Sequence, residues 1–145
     1  MADVVRRCEG TIAVTGVAIK PGKPLMLGRV GQAAYIGLPG NPGAVFTTFR
    51  VVVDDLLRVW AGLKERTKPI LPVVADFTWT HRTGQSTYLP AILNGYNANG
   101  VPHVDLLPKA NSGKLFLLSK AEGFAVLGPD CGGVKPGDLV GWFAL

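Results

Sequence analysis

The chain has 145 residues, which is enough for one ordinary domain or two small ones. Hydrophobic residues make up 48% and charged residues 17%, so a packed core is expected and general disorder is excluded. The formal net charge is +5, which favours anionic ligands. The basic residues are scattered, however, and form no block typical of a nucleic-acid binder.

The sequence shows neither an export signal nor a membrane-spanning segment. The first residues lack the apolar core of a signal peptide, and no apolar run approaches the roughly 20 residues that span a bilayer. Cys8 and Cys131 lie far apart without metal-type spacing. We therefore expect a soluble, cytoplasmic protein with two free, mostly buried thiols.

The front of the chain predicts a helix end followed by strands. Residues 2–9 are typical of the last turns of a helix that stops at Gly10. So short a helix needs a partner surface or further chain before it. Residues 11–19, 25–30 and 33–37 are rich in β-branched and apolar residues and predict three strands.

Residues 42–61 predict the clearest helix. Asn41 is a good N-cap, Pro42 suits the first helical position, and Gly62 is expected to end the helix. Asp54 and Arg58 are four residues apart and are expected to pair on the wet side. The apolar residues recur at helical spacing and predict one buried face: Val45, Phe46, Phe49, Val52, Val53, Leu56, Leu57 and Trp60.

A polar, proline-terminated segment then predicts a boundary. The expected division is residues 1–62 as an α/β part, 63–69 as a linker and 70–145 as a small, mainly antiparallel β-barrel-like domain. Segment 112–121 fits either a short helix or a turn. The strands of the second part are predicted at 70–79, 87–93, 101–107, 124–127 and 139–144, with turns at Asn94-Gly95 and Asn99-Gly100 among others.

Two front segments could bind an anion. In Lys20-Pro-Gly-Lys-Pro24 a stiff loop carries two ammonium groups that could converge on one ligand. In residues 37–42 (Gly-Leu-Pro-Gly-Asn-Pro) a rigid turn opens the helix, whose first N–H groups and dipole favour an anion. From the residues alone, a plain strand-connecting turn and a well-capped helix explain these segments as well.

The second part of the chain, from residue 70, contains fewer candidate ligand-binding or catalytic residues. Arg82 and Ser112 lie in predicted turns and could donate to an oxyanion, or could be ordinary loop residues. His81 and His103 have no partner at metal-ligand spacing, and we expect both to be surface or strand residues. The carboxylates are dispersed, so the residues predict no metal site, no acid–base pair and no identified catalytic residue.

Taken in order, these segments resemble the C-terminal part of the MoeA family, the molybdopterin molybdenumtransferases, to which the MoeA-like part of gephyrin also belongs. The matching text is residues 17–24 and 36–42, then Arg82-Thr-Gly and Ser112-Gly, and the closing residues 134–140. The resemblance implies the end of a three-layer α/β domain over residues 1–62. It also implies the family's last domain, a β-barrel-like clip, from about residue 70.

The resemblance also implies chemistry. Family members insert molybdate into adenylated molybdopterin and release AMP, with Mg²⁺ present. Pro39, Asn41 and Pro42 would form the turn beside the site. The molybdate-contacting positions of the family correspond to Lys20, Lys23, Pro24, Arg82 and Ser112, where two lysines and one arginine can satisfy a dianion without a metal.

Three departures qualify this prediction. Ala44 stands where the family usually has a serine, and residues 85–90 lack the usual acidic and basic pattern. The segments that would hold the pterin nucleotide and the Mg²⁺ ligands are mostly absent from this sequence. We therefore expect a fragment or a truncated family member, at best partly active, which forms a homodimer or associates with the missing N-terminal part.

The sequence leaves two other functions open. A non-catalytic binding or scaffold module, derived from a truncated family member and holding a peptide as gephyrin does, would use an apolar groove between the helical part and the barrel. A nucleic-acid-binding barrel would need a stripe of stacking aromatics. The aromatic residues, 8% of the chain, fall mostly at core-like positions, so no nucleic-acid partner and no membrane partner is predicted.

Overall fold

The computed structural model describes residues 2–64, 68–107 and 115–145. Over these ranges the protein is mostly β, with a closed five-stranded barrel and a few helices. The expected α/β character of the front part is limited to a helix beside a small antiparallel sheet. None of the described helices has the length and apolar content needed to cross a bilayer.

The front part begins with helix α1 (Ala2–Arg7) and strand β1 (Thr11–Thr15). Strand β2 (Ile19–Lys20) is separate, so the single strand expected over 11–19 is divided in two. Strands β3 (Met26–Val30) and β4 (Ala33–Gly37) follow the predicted bounds closely. β3 lies between β1 and β4, and all three are antiparallel.

The predicted long helix is present but is not uniform. Helix α2 (Pro42–Thr48) continues through a π-helical turn (Phe49–Val53) into helix α3 (Asp54–Trp60). The buried hydroxyls of Thr47 and Thr48 donate to the carbonyls of the preceding turn just before the π turn. Such side-chain bonds compete with the regular helix ladder, and a π turn shifts the register of the apolar face.

That shift changes two expectations about the helix. Asp54 does not pair with Arg58; its Oδ2 lies 3.8 Å from Nη1 of Arg50 and 3.0 Å from Nζ of Lys68. Trp60, expected on the buried face, is 55% exposed. The apolar face is therefore covered near the start of the helix and uncovered at its end.

The remaining elements form the barrel and a small ribbon. They are β5 (Leu71–Ala75), β6 (Trp79–Thr80), β7 (Ser86–Tyr96), β8 (Pro102–Leu106), α4 (Leu115–Leu118), β9 (Gly123–Leu127), β10 (Gly133–Val134) and β11 (Leu139–Ala144). The barrel order is β7-β8-β5-β11-β9, and pairing of β9 with β7 closes it. The β5–β8 pair is parallel, and the other barrel pairs are antiparallel. β6 and β10 pair with each other.

Apolar side chains fill the barrel. Along β7, Thr87, Leu89 and Ala91 are buried and alternate with partly exposed neighbours, as expected for a strand with one face in the core. The buried core inside the barrel contains Val73, Ala75, Phe77, Leu89, Ala91, Val104, Ala125, Leu127, Val134, Val140 and Trp142.

Strand β9 is buried on both faces, because the helix covers its outer side. Outside the barrel, Phe124 and Phe143 pack together with Phe46 of α2 and Tyr88 of β7. The ring centroids of Phe46 and Phe124 are 5.7 Å apart. This aromatic cluster joins the helix to the barrel wall.

Two predicted features of the second part were wrong. The strand expected over 70–79 is interrupted, so β5 and β6 belong to different sheets. The turn expected at Asn94-Gly95 lies inside β7, where the register with β8 shifts. The chain reverses at the other predicted turn, Asn99-Gly100, where the Asn97 side chain accepts hydrogen bonds from the backbone N–H groups of Asn99 and Val101.

Candidate functional site

The loop that carries the two lysines is held by its own backbone. It connects β1 to β3, and the Gly16 N–H donates to the Leu25 carbonyl at 2.8 Å. Inside it, the Val17 N–H donates to Lys23 at 3.0 Å and the Leu25 N–H donates to Gly22 at 3.1 Å. The loop is therefore ordered, as the prolines in its sequence predict.

The loop is also fastened to the helix. Gly22 is buried, has φ +131°, and a Cβ there would lie 2.5 Å from Cγ2 of Thr48. Only glycine fits such close contact in this conformation. Leu25, at the end of the loop, is fully buried. Lys20 and Lys23 thus project from a loop packed against the end of α2.

Strand β2 connects this loop to the barrel. Ile19 pairs with Ser86 and Lys20 with Thr87 in a parallel arrangement, and the Ser86 N–H donates to the Ala18 carbonyl at 2.9 Å. Paired strands lie about 4.8 Å apart. Lys20 therefore lies beside the start of β7, and Arg82 belongs to the loop that leads into this strand.

The three predicted cationic residues are available to a ligand. Lys20, Lys23 and Arg82 are exposed, and no carboxylate in the described ranges forms an ion pair with them. Pro24 is exposed beside Lys23. Ser112 lies outside the described residues. The Lys20 loop pairs with the start of β7, and the loop containing Arg82 leads into the same strand, so this junction is the candidate oxyanion site.

The turn before α2 caps the start of that helix. Pro39 is buried, and Pro42 occupies the start of the helix as predicted. The Asn41 side chain accepts from the N–H groups of Gly43 at 3.0 Å and Ala44 at 3.3 Å, which confirms it as the N-cap. Two first-turn donors that could have met an anion are therefore bonded to Asn41.

Two polar residues near the Arg82 loop were not predicted as buried. His81 was expected at the surface or on a strand, but it lies in a loop and is 7% exposed. It lies on the buried side of the chain, like Trp79, whereas Thr80 and Arg82 face outward. In the part of the chain that the structure describes, His81 Nε2 and the Oγ1 of buried Thr87 have no hydrogen-bond partner.

A second polar cluster lies across three barrel strands. Asp76 Oδ1 is 2.7 Å from Nδ1 of His103, and Asn94 donates to Asp76 Oδ2 at 2.8 Å. The hydrogen bond with His103 is the main cause that lowers the pKa of Asp76; burial opposes it, and the Asn94 bond adds to it. Asn94 and His103 lie 18 and 27 positions after Asp76 along the chain. Contacts over such separations produce no local sequence pattern, so the sequence did not reveal this cluster.

A resident metal finds no suitable ligand set here. Within residues 2–64, 68–107 and 115–145, no three or more His, Cys, Asp or Glu side chains are grouped so that they could hold a metal ion. The described residues therefore provide no ligand set that would hold a metal ion by itself. The cysteines are free, as predicted, but Cys8 is exposed and Cys131 is half-buried, so the expectation of buried thiols was wrong.

Comparisons with known proteins agree with the architecture. Curated relatives include a molybdopterin molybdenumtransferase of Nostoc, 30% identical over 126 residues, which cover 80% of this chain and 27% of that protein. Another, from Haemophilus influenzae, is 40% identical over 60 residues, 41% of this chain and 15% of that protein. The chain thus spans less than a third of the length of either relative.

Solved structures share the fold. The molybdopterin biosynthesis MoeA protein of Pyrococcus horikoshii superposes with a TM-score of 0.78 at 25% identity, over 99% of this chain and 34% of that one. A molybdenum cofactor biosynthesis protein of Pyrococcus furiosus gives 0.70 at 22% identity, over 94% of this chain and 46% of that one. The protein-family model described as MoeA C-terminal region (domain IV) matches residues 72–145 of this chain. Because this match spans just over half of the chain, the protein belongs to the MoeA family and corresponds to a C-terminal portion of its members.

Proposed function

We propose that this chain provides the molybdate-binding part of a molybdopterin molybdenumtransferase. The observation that carries the proposal is the parallel pairing of β2 with β7, which joins the Lys20 loop to the strand that follows Arg82. The family membership and the names of the curated relatives support the choice of molybdate among oxyanions.

The proposed site works by charge and hydrogen bonding. Lys20, Lys23 and Arg82 surround a tetrahedral dianion, which accepts charge-assisted hydrogen bonds from them. Arg82 supplies a planar fork, and the lysines supply compact charges on an ordered loop. Pro24 shapes the loop, and Ser112 adds a hydroxyl donor by the family resemblance. Pro39, Asn41 and Pro42 hold the adjoining turn.

The complete transfer reaction needs groups beyond those described. The described ranges contain no group of three or more His, Cys, Asp or Glu side chains that could hold a metal ion, and the proposal involves no step at Mg²⁺. We propose that residues 1–62 are the end of a three-layer α/β domain and that residues 70–145 are the barrel domain, joined by 63–69. The molybdopterin-AMP half of the site would lie in the part of the family's members that this chain does not span.

Calorimetric titration with sodium molybdate tests the binding proposal. We expect a millimolar or tighter dissociation constant, weakened at least tenfold when Lys20→Ala and Lys23→Ala are combined, and also weakened by Arg82→Ala. Lys64→Ala is the matched control, because Lys64 is an exposed lysine outside the candidate site. The proposal fails if molybdate does not bind, or if the double variant binds it as tightly as the unchanged protein.

A binding or scaffold module is the second candidate function, and one observation favours it. Large apolar side chains are exposed where the helix ends and the barrel begins: Leu57, Val59, Trp60, Leu63, Ile70 and Leu71. Concentrations of exposed apolar side chains mark interaction surfaces in soluble proteins. A Trp60→Ser, Leu63→Ser variant that loses a partner while retaining molybdate binding would support this second function beside the first.

A further inference from the structure

The ribbon formed by β6 and β10 borders a cavity that the proposed oxyanion site does not use. Its volume is about 610 Å³, within the range of small-molecule sites. The lining contains none of the residues proposed to hold molybdate. The side chains and backbone positions that matter for its chemistry are Thr78, Trp79, Thr80, Gly132, Lys135 and Asp138.

The polar side chains of this cavity are uncommitted. In the described part of the protein, no hydrogen bond or ion pair engages the hydroxyls of Thr78 and Thr80 or the ammonium of Lys135. Asp138 uses Oδ2 to accept the backbone N–H of Lys135 at 2.8 Å, which leaves Oδ1 for another donor. The cavity therefore offers both donors and an acceptor.

The charged side chains of the cavity do not favour binding of a simple anion. Lys135 and Asp138 line the same cavity and are three residues apart, so their formal charges cancel. An anion attracted to the ammonium would also meet the carboxylate. A hydroxyl group suits both, because it can accept from Lys135 or a threonine and donate to Asp138.

The apolar part of the lining fits a ring. Trp79 is half-buried and packs against the barrel core, and it also lines the cavity. An indole offers a flat, rigid surface to the C–H groups of a ligand, and an N–H donor at its edge. Flat apolar surface beside paired donors and acceptors is the combination that a polyhydroxylated ring requires.

We propose that the β6–β10 cavity binds a sugar ring, either a free sugar or the sugar of a nucleoside. Trp79 supplies the flat contact, Lys135 and the two threonines donate to ring and hydroxyl oxygens, and Asp138 accepts from a hydroxyl. A site that is open to solvent and held by few hydrogen bonds binds in the millimolar range. It is independent of the molybdate loop.

Gly132 provides a way to block the cavity. A Cβ at Gly132 would meet no atom within 4 Å, and its backbone is outside the left-handed region. Gly132→Leu therefore brings no Cβ clash, and because Gly132 lines the cavity we expect the leucine side chain to reduce the room for a ligand. Gly128→Leu is the matched control, because Gly128 is equally unobstructed but does not line the cavity.

The test is a titration followed by the amide and indole N–H signals in NMR spectra of the whole chain. D-glucose, D-ribose, adenosine and inorganic phosphate are added separately. We expect saturable shifts of the Trp79 indole signal with a sugar or with adenosine, at least tenfold weaker binding in Gly132→Leu, and unchanged binding in Gly128→Leu. Stronger binding of adenosine than of ribose identifies a nucleoside site, and the reverse identifies a free-sugar site.

Substitutions of the charged pair complete the test. Asp138→Asn and Lys135→Met are each expected to weaken sugar binding about three- to tenfold, whereas Lys20→Ala with Lys23→Ala leaves it unchanged. The proposal is overturned if neither sugar nor adenosine shifts the signal, if Gly132→Leu binds normally, or if phosphate alone binds.

Discussion

The Nδ1 atom of His103 lies 2.7 Å from Oδ1 of Asp76 across the seam where β5 and β8 run parallel. Two residue pairs define that seam, Val74 with His103 and Ala75 with Val104, whereas β11 has four with each neighbour. Asn94 of β7 bonds the second Asp76 oxygen. One carboxylate therefore connects three strands at a thinly paired part of the barrel.

We expect Asp76→Asn to destabilise the protein by about 1–3 kcal/mol near neutral pH, because it removes a charge-assisted hydrogen bond. The folded-state pKa of Asp76 lies below its ordinary value of 3.8, mainly because of the His103 bond. The stabilisation is therefore present above that value and is lost as the pH falls through the folded-state pKa.

Urea unfolding at several pH values measures this difference. The difference in free energy of unfolding between the unchanged protein and Asp76→Asn should become smaller as the solution is acidified below about pH 4. Asp130→Asn is the control, since no hydrogen bond or ion pair in the described ranges uses the Asp130 side chain. A gap that stays constant down to about pH 2 would contradict the assigned role.

Asn41→Ala should lower the free energy of unfolding by about 1 kcal/mol, because the N–H groups of Gly43 and Ala44 lose their acceptor. Asn41→Ser retains a side-chain oxygen and should recover most of the loss. Thermal and urea unfolding compare the two variants. If alanine and serine were equivalent, the cap would contribute nothing measurable.

Lys68→Met should destabilise the protein by about 1–3 kcal/mol. The ammonium lies 3.0 Å from Asp54, 2.7 Å from Asp55 and 3.2 Å from the Arg50 carbonyl. Methionine retains an apolar stem over the Phe143 ring, but it removes the ion pair of Asp55 and leaves Asp54 with only the longer contact to Arg50. Lys64→Met is the exposed control in urea unfolding. Equal stability of both variants would show that this ion-pair cluster is neutral.

Gly22→Ala should displace the Lys20 loop, because its Cβ would meet Thr48 and φ is +131°. We expect lower stability and weaker molybdate binding. Thr48→Ser removes the obstructing methyl but keeps the hydroxyl that bonds the Ala44 carbonyl. Combined with Gly22→Ala, it should restore part of the loss, while the backbone strain remains. If the double variant were as unstable and bound molybdate as weakly as Gly22→Ala alone, backbone strain rather than the contact with Thr48 would account for the whole effect.

Features with local causes were predictable from the sequence. Asn41 and Pro42 identified the helix start, and alternation identified the strands around Leu89 and Val140. The π turn was hidden, because a one-residue shift does not interrupt an apolar pattern. The pairing of Lys20 with Thr87 and the contact of Asp76 with His103 depend on chain topology. Trp79 and His81 alternate with exposed neighbours, but a two-residue strand is too short to give a periodic signal.

Strand β2 has a practical consequence for dissecting this protein. A barrel cut free before Lys68 would lose the parallel neighbour of Ser86 and Thr87, and Phe124 would lose the ring of Phe46. The start of β7 would then present unpaired backbone groups to solvent beside a newly bare aromatic surface. Such a piece is expected to self-associate, so the barrel is better studied with its preceding sheet and helix attached.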